Sequence, residues 1–194
     1  KLRIKSSYNT GSIGSSASWL LFSIVLFFKP KIIVEIGSFI GKSSMSMALA
    51  ADTYLDQYKC EIFCCDDLNK IIFPDICKTK INQFHKTSST EMLKSFLDEQ
   101  KFDIMHLDGR LQKEDFDLLK KNITKKSIFV LDDFESIEKG AVNYSNLLNS
   151  GVISRKSHLL VNPILDDVGV KYNLVERSKT AVLLPINYIS FSYQ

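Results

Sequence analysis

The sequence predicts an α/β protein: an open, doubly wound, mostly parallel sheet with helices on both faces. Three observations carry this expectation. Short β-branched runs alternate with longer helical segments along the chain. The runs are apolar at successive positions rather than alternate ones, as in parallel strands buried on both faces. A length of 194 residues, 45% hydrophobic and 24% charged, suits one globular domain with a full-sized core.

The elements follow in order. Residues 1–18 are polar, rich in Ser and Gly, and read as a lead-in. Ser16 or Ser18 is placed to cap a helix running to Phe28, and Pro30 stops it. The apolar run 19–28 is about half the ~20 residues of a membrane span, so it reads as a buried core helix. Residues 31–36 form the first strand, closed by Gly37. Residues 43–54 form a helix whose small residues allow close packing on the sheet. The second strand, 61–65, ends at Asp66-Asp67, and a third lies within 81–86. Residues 91–100 are helical, with Met92, Leu93, Phe96 and Leu97 on one face. The strand 102–107 ends at Asp108-Gly109, and a helix follows over 115–121. The strand 127–131 ends at Asp132-Asp133, and the helix 136–149 is stopped by Gly151. Residues 157–161 and 180–184 close the set as an antiparallel pair at one edge. The whole chain, 1–194, is expected to be a single domain: 1–30 a lead-in and helix available as a lid, 31–194 the sheet.

Composition excludes several classes. Lys plus Arg number 25 against 22 Asp plus Glu, a net charge of +3 that is too mild to imply a nucleic-acid partner. Cys60, Cys64, Cys65 and Cys77 contain no CxxC pair, which argues against a disulfide framework or structural zinc and for a reducing, cytoplasmic setting. No membrane association is expected. The sequence starts on Lys1 rather than Met, so an extension upstream stays open.

Chemistry concentrates at the strand ends. Three central strands end in carboxylates (Asp66-Asp67, Asp108, Asp132-Asp133), where open α/β sheets bind ligands. The alternative for each is a helix cap. Beside them, the turn from Gly37 through Ser38 and Gly41 to Ser43 and Ser44 offers backbone NH groups and a helix N-terminus to an anionic group. Two readings compete. GxxxGKS falls one residue short of the phosphate-binding GxxxxGK[ST] loop, yet residues 128–133 look like the acidic strand that accompanies it. In the second reading Glu35 precedes the glycine turn and Asp66 ends the next strand. Carboxylates there accept hydroxyl donors well.

The phrases VEIGSFIGKSS, FDIMHLDG and IFVLDDF, in this order, resemble class I S-adenosylmethionine-dependent methyltransferases. Among these the chain is similar to small-molecule O-methyltransferases of the macrocin type and, more distantly, the catechol type, from about Gly11 to Pro185. The resemblance implies a seven-stranded Rossmann-like sheet with an antiparallel edge strand. It implies a cofactor site made by Glu35, Gly37, Ser38, Gly41, Ser43, Ser44, Asp66, Asp67 and Asp108, with Ser89 near the adenine. It further implies a divalent metal, magnesium by its all-oxygen ligands, held by Asp108, Asp132 and Asp133. Such a metal would lower the pKa of the acceptor hydroxyl. Macrocin-type relatives continue as DGDHxY, whereas here Asp108-Gly109-Arg110-Leu111-Gln112-Lys113 lacks that His. Lys113 is then the base suggested by the catechol type, at a different spacing, with a surface lysine as the alternative. His106 reads as a core histidine.

The expected function is O-methylation of a small hydroxylated acceptor: a sugar, polyketide or catechol-like molecule. The alternatives are a P-loop-like NTPase and a cofactor-binding domain without turnover. A homodimer is suggested by the exposed sheet edge and the aromatic tail of Tyr188, Phe191 and Tyr193. Trp19 and Phe22 belong to a lid or to the core. The Asn122 and Asn143 glycosylation patterns read as chance matches, and Asp166-Asp167 as a solvated loop.

Overall fold

A computed structural model describes residues 12–68, 70–72, 74–134, 137, 139–155, 157–161 and 179–185. The elements are α1 (Ser15–Phe28), β1 (Ile32–Ile36), α2 (Lys42–Asp52), β2 (Glu61–Asp66), β3 (Lys80–His85), α3 (Ser89–Lys94), β4 (Ile104–Leu107), α4 (Asp115–Asn122), β5 (Ile128–Leu131), α5 (Gly140–Asn149), β6 (His158–Val161) and β7 (Ala181–Leu184). The seven strands form one sheet in the order β3-β2-β1-β4-β5-β7-β6. β3, β2, β1, β4 and β5 pair in parallel. β7 runs antiparallel between β5 and β6 and supplies the expected antiparallel pair at that edge. This is the Rossmann-like arrangement.

Residues within each central strand alternate between two cores. Val34 and Ile36, Met105 and Leu107, and Phe129 and Leu131 pack with Met92, Leu119 and Leu147 of α3, α4 and α5. Ile33, Ile104, Ile128 and Val130 pack with Leu21 and Val25 of α1 and with Met47 and Ala51 of α2. Both faces are therefore buried, which is why these strands read as continuous apolar runs. Ala48, Ala50 and Ala51 bring α2 close to the sheet. After β3 at one edge the chain crosses back to β4 beside β1, so the winding reverses there and the carboxyl ends of β1 and β4 flank a crevice.

Several boundaries differ from expectation. α1 is capped by Gly14, with no side-chain cap; Ser18 instead donates its hydroxyl to the Gly14 carbonyl one turn back. α3 ends at Lys94. The next amides turn to i−3 carbonyls (Ser95 N to Met92 O, Phe96 N to Leu93 O), burying Phe96 and leaving Leu97 exposed. α5 begins at Gly140, while the predicted start, Ser136, lies outside the described residues. So do 1–11, Asp166-Asp167 and the aromatics Tyr188, Phe191 and Tyr193. No helix among the described residues is long and apolar enough to cross a membrane.

Candidate functional site

The turn after β1 is held by β2. The amides of Gly37 and Ser38 donate to the Cys65 carbonyl at 3.0 and 3.1 Å, and Phe39 N donates to Asp66 Oδ2 at 2.7 Å. Gly37 has φ +88°, and a Cβ there would lie 2.7 Å from Gly109 N and 2.8 Å from Asp108 C. Only glycine lets the two strand ends approach this closely. Asp66 Oδ1 accepts Leu68 N at 2.9 Å, so its carboxylate is fixed in orientation.

Gly37, Cys65, Asp66 and Leu68 line a crevice of about 240 Å³ at the carboxyl ends of β1, β2 and β4, together with Asp67, Ser88, Ser89, Asp108, Gly109, Arg110 and Gln112. Of the expected cofactor residues, Gly37, Asp66, Asp67, Ser89 and Asp108 meet in it. Glu35, Ser38, Gly41, Ser43 and Ser44 do not line it; they build the turn and the layer behind. Glu35 is fully buried, accepts the Ser44 hydroxyl, and lies 2.9 Å from His106 Nδ1 across the β1–β4 register. Burial disfavours a charged His106, but the hydrogen bond and charge of Glu35, backed by Asp132 and Asp108, hold its pKa above the ordinary histidine value. The expected core histidine is thus a buried partner of Glu35. Among the described residues, the buried Ser38 Oγ and His106 Nε2 meet no hydrogen-bond partner. A larger hollow of about 670 Å³ sits away from these strand ends, by the start of β5, against Thr124, Ser127 and Val152.

One wall of the crevice is braced from α3 and α4. Asp115, fully buried, accepts Ser89 Oγ and Thr90 Oγ1 at 2.6 Å each and Gln112 N at 2.7 Å. Ser89 therefore spends its hydroxyl on Asp115 while still lining the crevice. Asn143 of α5 is also buried, donating to Gly109 O at 2.8 Å and accepting Leu111 N at 3.1 Å. Both Asn122 and Asn143 are buried, which removes their glycosylation patterns from consideration.

The metal set implied by the resemblance is committed otherwise. Lys139 Nζ lies 3.0 Å from Asp108 Oδ1 and 3.1 Å from Asp133 Oδ2. Asp132 Oδ1 accepts Thr180 Oγ1 at 2.8 Å. Among the described residues no three His, Cys, Asp or Glu side chains converge as a metal-holding group. Asp108, Asp132 and Asp133 thus do not fit a divalent ion in this arrangement. Burial and the neighbouring Asp132 push the Asp108 carboxyl up to about 7, with Lys139 opposing them. Burial alone would lower the Lys139 pKa, but Asp108 and Asp133 hold it above the usual lysine range.

The base expected at Lys113 meets a different placement. Lys113 is exposed and does not line the crevice. Lys42 donates from Nζ to the Ile13 carbonyl at 2.5 Å, tying the segment before α1 to the start of α2. Trp19, 69% exposed, meets Phe22 edge-on and borders an apolar hollow of about 400 Å³ with Leu160 and Val182, apart from the crevice. Sequence reasoning missed Lys139 and Asp115. Their signals were a Lys-Gly pair a few residues beyond Asp132-Asp133 and an Asp opening a predicted helix.

A methyltransferase domain family matches residues 34–134, the segment that builds β1 to β5 and the crevice. The chain belongs to that family. It is a methyltransferase, and the P-loop alternative falls with this match. No curated protein matches the chain. Solved methyltransferases share the fold. The O-methyltransferase TomG of Streptomyces achromogenes, involved in tomaymycin synthesis and in complex with SAM, is 13% identical with a TM-score of 0.64, covering 94% of this chain and 86% of its own. The Bacillus cereus O-methyltransferase in complex with SAH is 11% identical with a TM-score of 0.62, covering 90% and 83%. The SAH-bound methyltransferase PaMTH1 of Podospora anserina is 14% identical with a TM-score of 0.60, covering 94% and 83%.

Proposed function

We propose that this methyltransferase binds S-adenosylmethionine in the crevice at the carboxyl ends of β1, β2 and β4, and transfers its methyl group to a hydroxyl of a small molecule. The single observation that carries the reading is the meeting of Gly37, Asp66, Asp67, Ser89 and Asp108 around one cavity of about 240 Å³. The SAM and SAH bound in TomG and in the Bacillus cereus enzyme support it.

The crevice fits the cofactor. The left-handed turn at Gly37 lets the ends of β1 and β4 close up beside the crevice, and the buried Ser38 Oγ lies at that turn. Asp66, held by two backbone amides, is oriented to accept ribose hydroxyls, with the exposed Asp67 at the rim. Ser89, which the resemblance places near the adenine, lines a wall that Asp115 keeps in place. When bound, the cofactor would supply its sulfonium methyl to an acceptor oxygen and leave as S-adenosylhomocysteine, with the hydroxyl proton passing to water. Asp108, paired with Lys139, lines the same crevice. The reading includes no metal step, because Lys139 already bridges Asp108 and Asp133.

Titration calorimetry with S-adenosylmethionine and S-adenosylhomocysteine tests the proposal. Both are expected to bind, and Asp66→Ala is expected to weaken each by about 100-fold, the ~3 kcal/mol of a hydrogen-bonded charged group. Absence of binding of both nucleosides to the wild-type protein would overturn it. A transfer screen over catechols, flavonoids, sugars and macrolides then reads the acceptor class.

A further inference from the structure

We propose that the Lys139 ammonium is the resident cation of the acidic strand ends, standing where the resembled O-methyltransferases hold a divalent metal. The inference deepens the methyltransferase reading above and rests on it.

Three carboxylates at the ends of β4 and β5 form a concentration of negative charge that needs a counter-cation. Here one is built in. Lys139 Nζ reaches Asp108 Oδ1 at 3.0 Å and Asp133 Oδ2 at 3.1 Å, so one ammonium joins acids from two strands. The Asp108 side chain is only 8% exposed, so its charge needs a partner, and Lys139 at 38% still faces solvent. Asp132 takes the Thr180 hydroxyl at 2.8 Å. All three expected metal ligands therefore already have protein partners.

The backbone is shaped to hold this pairing. A Cβ on Gly140, the residue after Lys139, would lie 2.5 Å from Phe134 Cα and 2.6 Å from Asp132 O. Only glycine allows α5 to begin this close to the end of β5. Asp133 itself sits at φ +49°, a left-handed conformation that costs energy for a non-glycine residue and sets where its carboxylate can reach. Phe134 N donates to Lys179 O at 2.8 Å, pinning the same turn from the β7 side. A divalent ion entering here would meet a cation held by two ion pairs. An ammonium carries three N–H donors, and the two carboxylates engage two of them.

Manganese alone serves as the probe, followed by calorimetry and electron paramagnetic resonance on the full chain saturated with S-adenosylhomocysteine. The wild-type protein is expected to show no manganese site tighter than about 1 mM. Lys139→Ala is expected to gain a site at least about tenfold tighter than that, and Lys139→Ala combined with Asp108→Asn to lose it again. Lys139→Gln, which keeps an unbranched, shorter stem and a hydrogen-bond donor, is run beside it with a circular dichroism melt, so that misfolding of one variant does not decide the result. A loss of packing alone would create no metal site. Stoichiometric manganese binding by the wild type that Asp108→Asn abolishes would overturn the proposal. So would folded Lys139 variants that gain no site. If S-adenosylhomocysteine fails to bind the wild-type protein, the proposed cofactor site falls, while the manganese titrations still judge Lys139.

Discussion

Glu35, Ser44 and His106 show what single residues do beneath the crevice. Glu35 is fully buried, and its two oxygens are occupied by the Ser44 hydroxyl and His106 Nδ1. Removing one member strands a buried charge, so His106→Leu is expected to cost about 3–5 kcal/mol in urea unfolding. The double variant Glu35→Leu/His106→Leu is expected to be less destabilised than His106→Leu alone, because no charge is left without a partner. The opposite ordering would show that the pair is held by something else. Gly37 fails differently. With φ +88° and a Cβ position 2.7 Å from Gly109 N, Gly37→Ala is expected to cost about 1–3 kcal/mol of backbone strain and to weaken S-adenosylhomocysteine binding in calorimetry. The importance of Gly37 and Glu35 was legible in VEIG. Their separate roles were not, because facing the crevice or lying behind it depends on the partner strand.

At the scale of elements, α3 is short and depends on its first turn. Ser88 caps it, with the Ser88 hydroxyl accepting Glu91 N and Glu91 accepting Ser88 N. Ser88→Ala is expected to cost about 1 kcal/mol. The Glu91 carboxyl is held below its ordinary pKa, first by the Ser88 amide and then by the Ser88 hydroxyl. Its folded pKa being the lower one, its contribution is present above the unfolded value near 4.5 and disappears as pH falls through the folded value. The stability difference between wild type and Glu91→Gln should therefore shrink on acidification below about pH 4.5; a difference that grew there would reverse the sign. Asp115 links α3 to α4 through Ser89, Thr90 and Gln112. Asp115→Ala should cost about 1–3 kcal/mol for each buried donor that finds no water, and should loosen the wall of the crevice beside Ser89. Helix existence was readable from periodicity, but the extent of α3 was not. Its apolar pattern continues through Phe96 and Leu97, whereas its hydrogen bonds change at Ser95.

For the whole molecule, the net charge of +3 conceals a local asymmetry. The strand ends that meet at the crevice are acidic, and one lysine is drawn in to balance them. Ligand linkage gives a molecule-wide test. S-adenosylhomocysteine at about 100 times its Kd should add ~2.7 kcal/mol of stability. For a domain of this size that raises the Tm by roughly 5–11 °C. An unchanged melt would argue against binding to the native state.

The sequence by itself determined the α/β class, the strand order of chemistry along the chain and the three acidic strand ends, because burial on both sheet faces and glycine turns leave a local pattern. It also carried the family resemblance, since VEIGSFIGKSS, FDIMHLDG and IFVLDDF are contiguous phrases. Only the tertiary structure decided which acids share a cavity and which share a lysine. Asp108, Asp133 and Lys139 come from three separate strand and helix ends, and their charges are matched by packing distance rather than by spacing along the chain. The same reason hid the Asp115 brace and the burial of Asn143: each joins residues more than twenty positions apart, which no local pattern records.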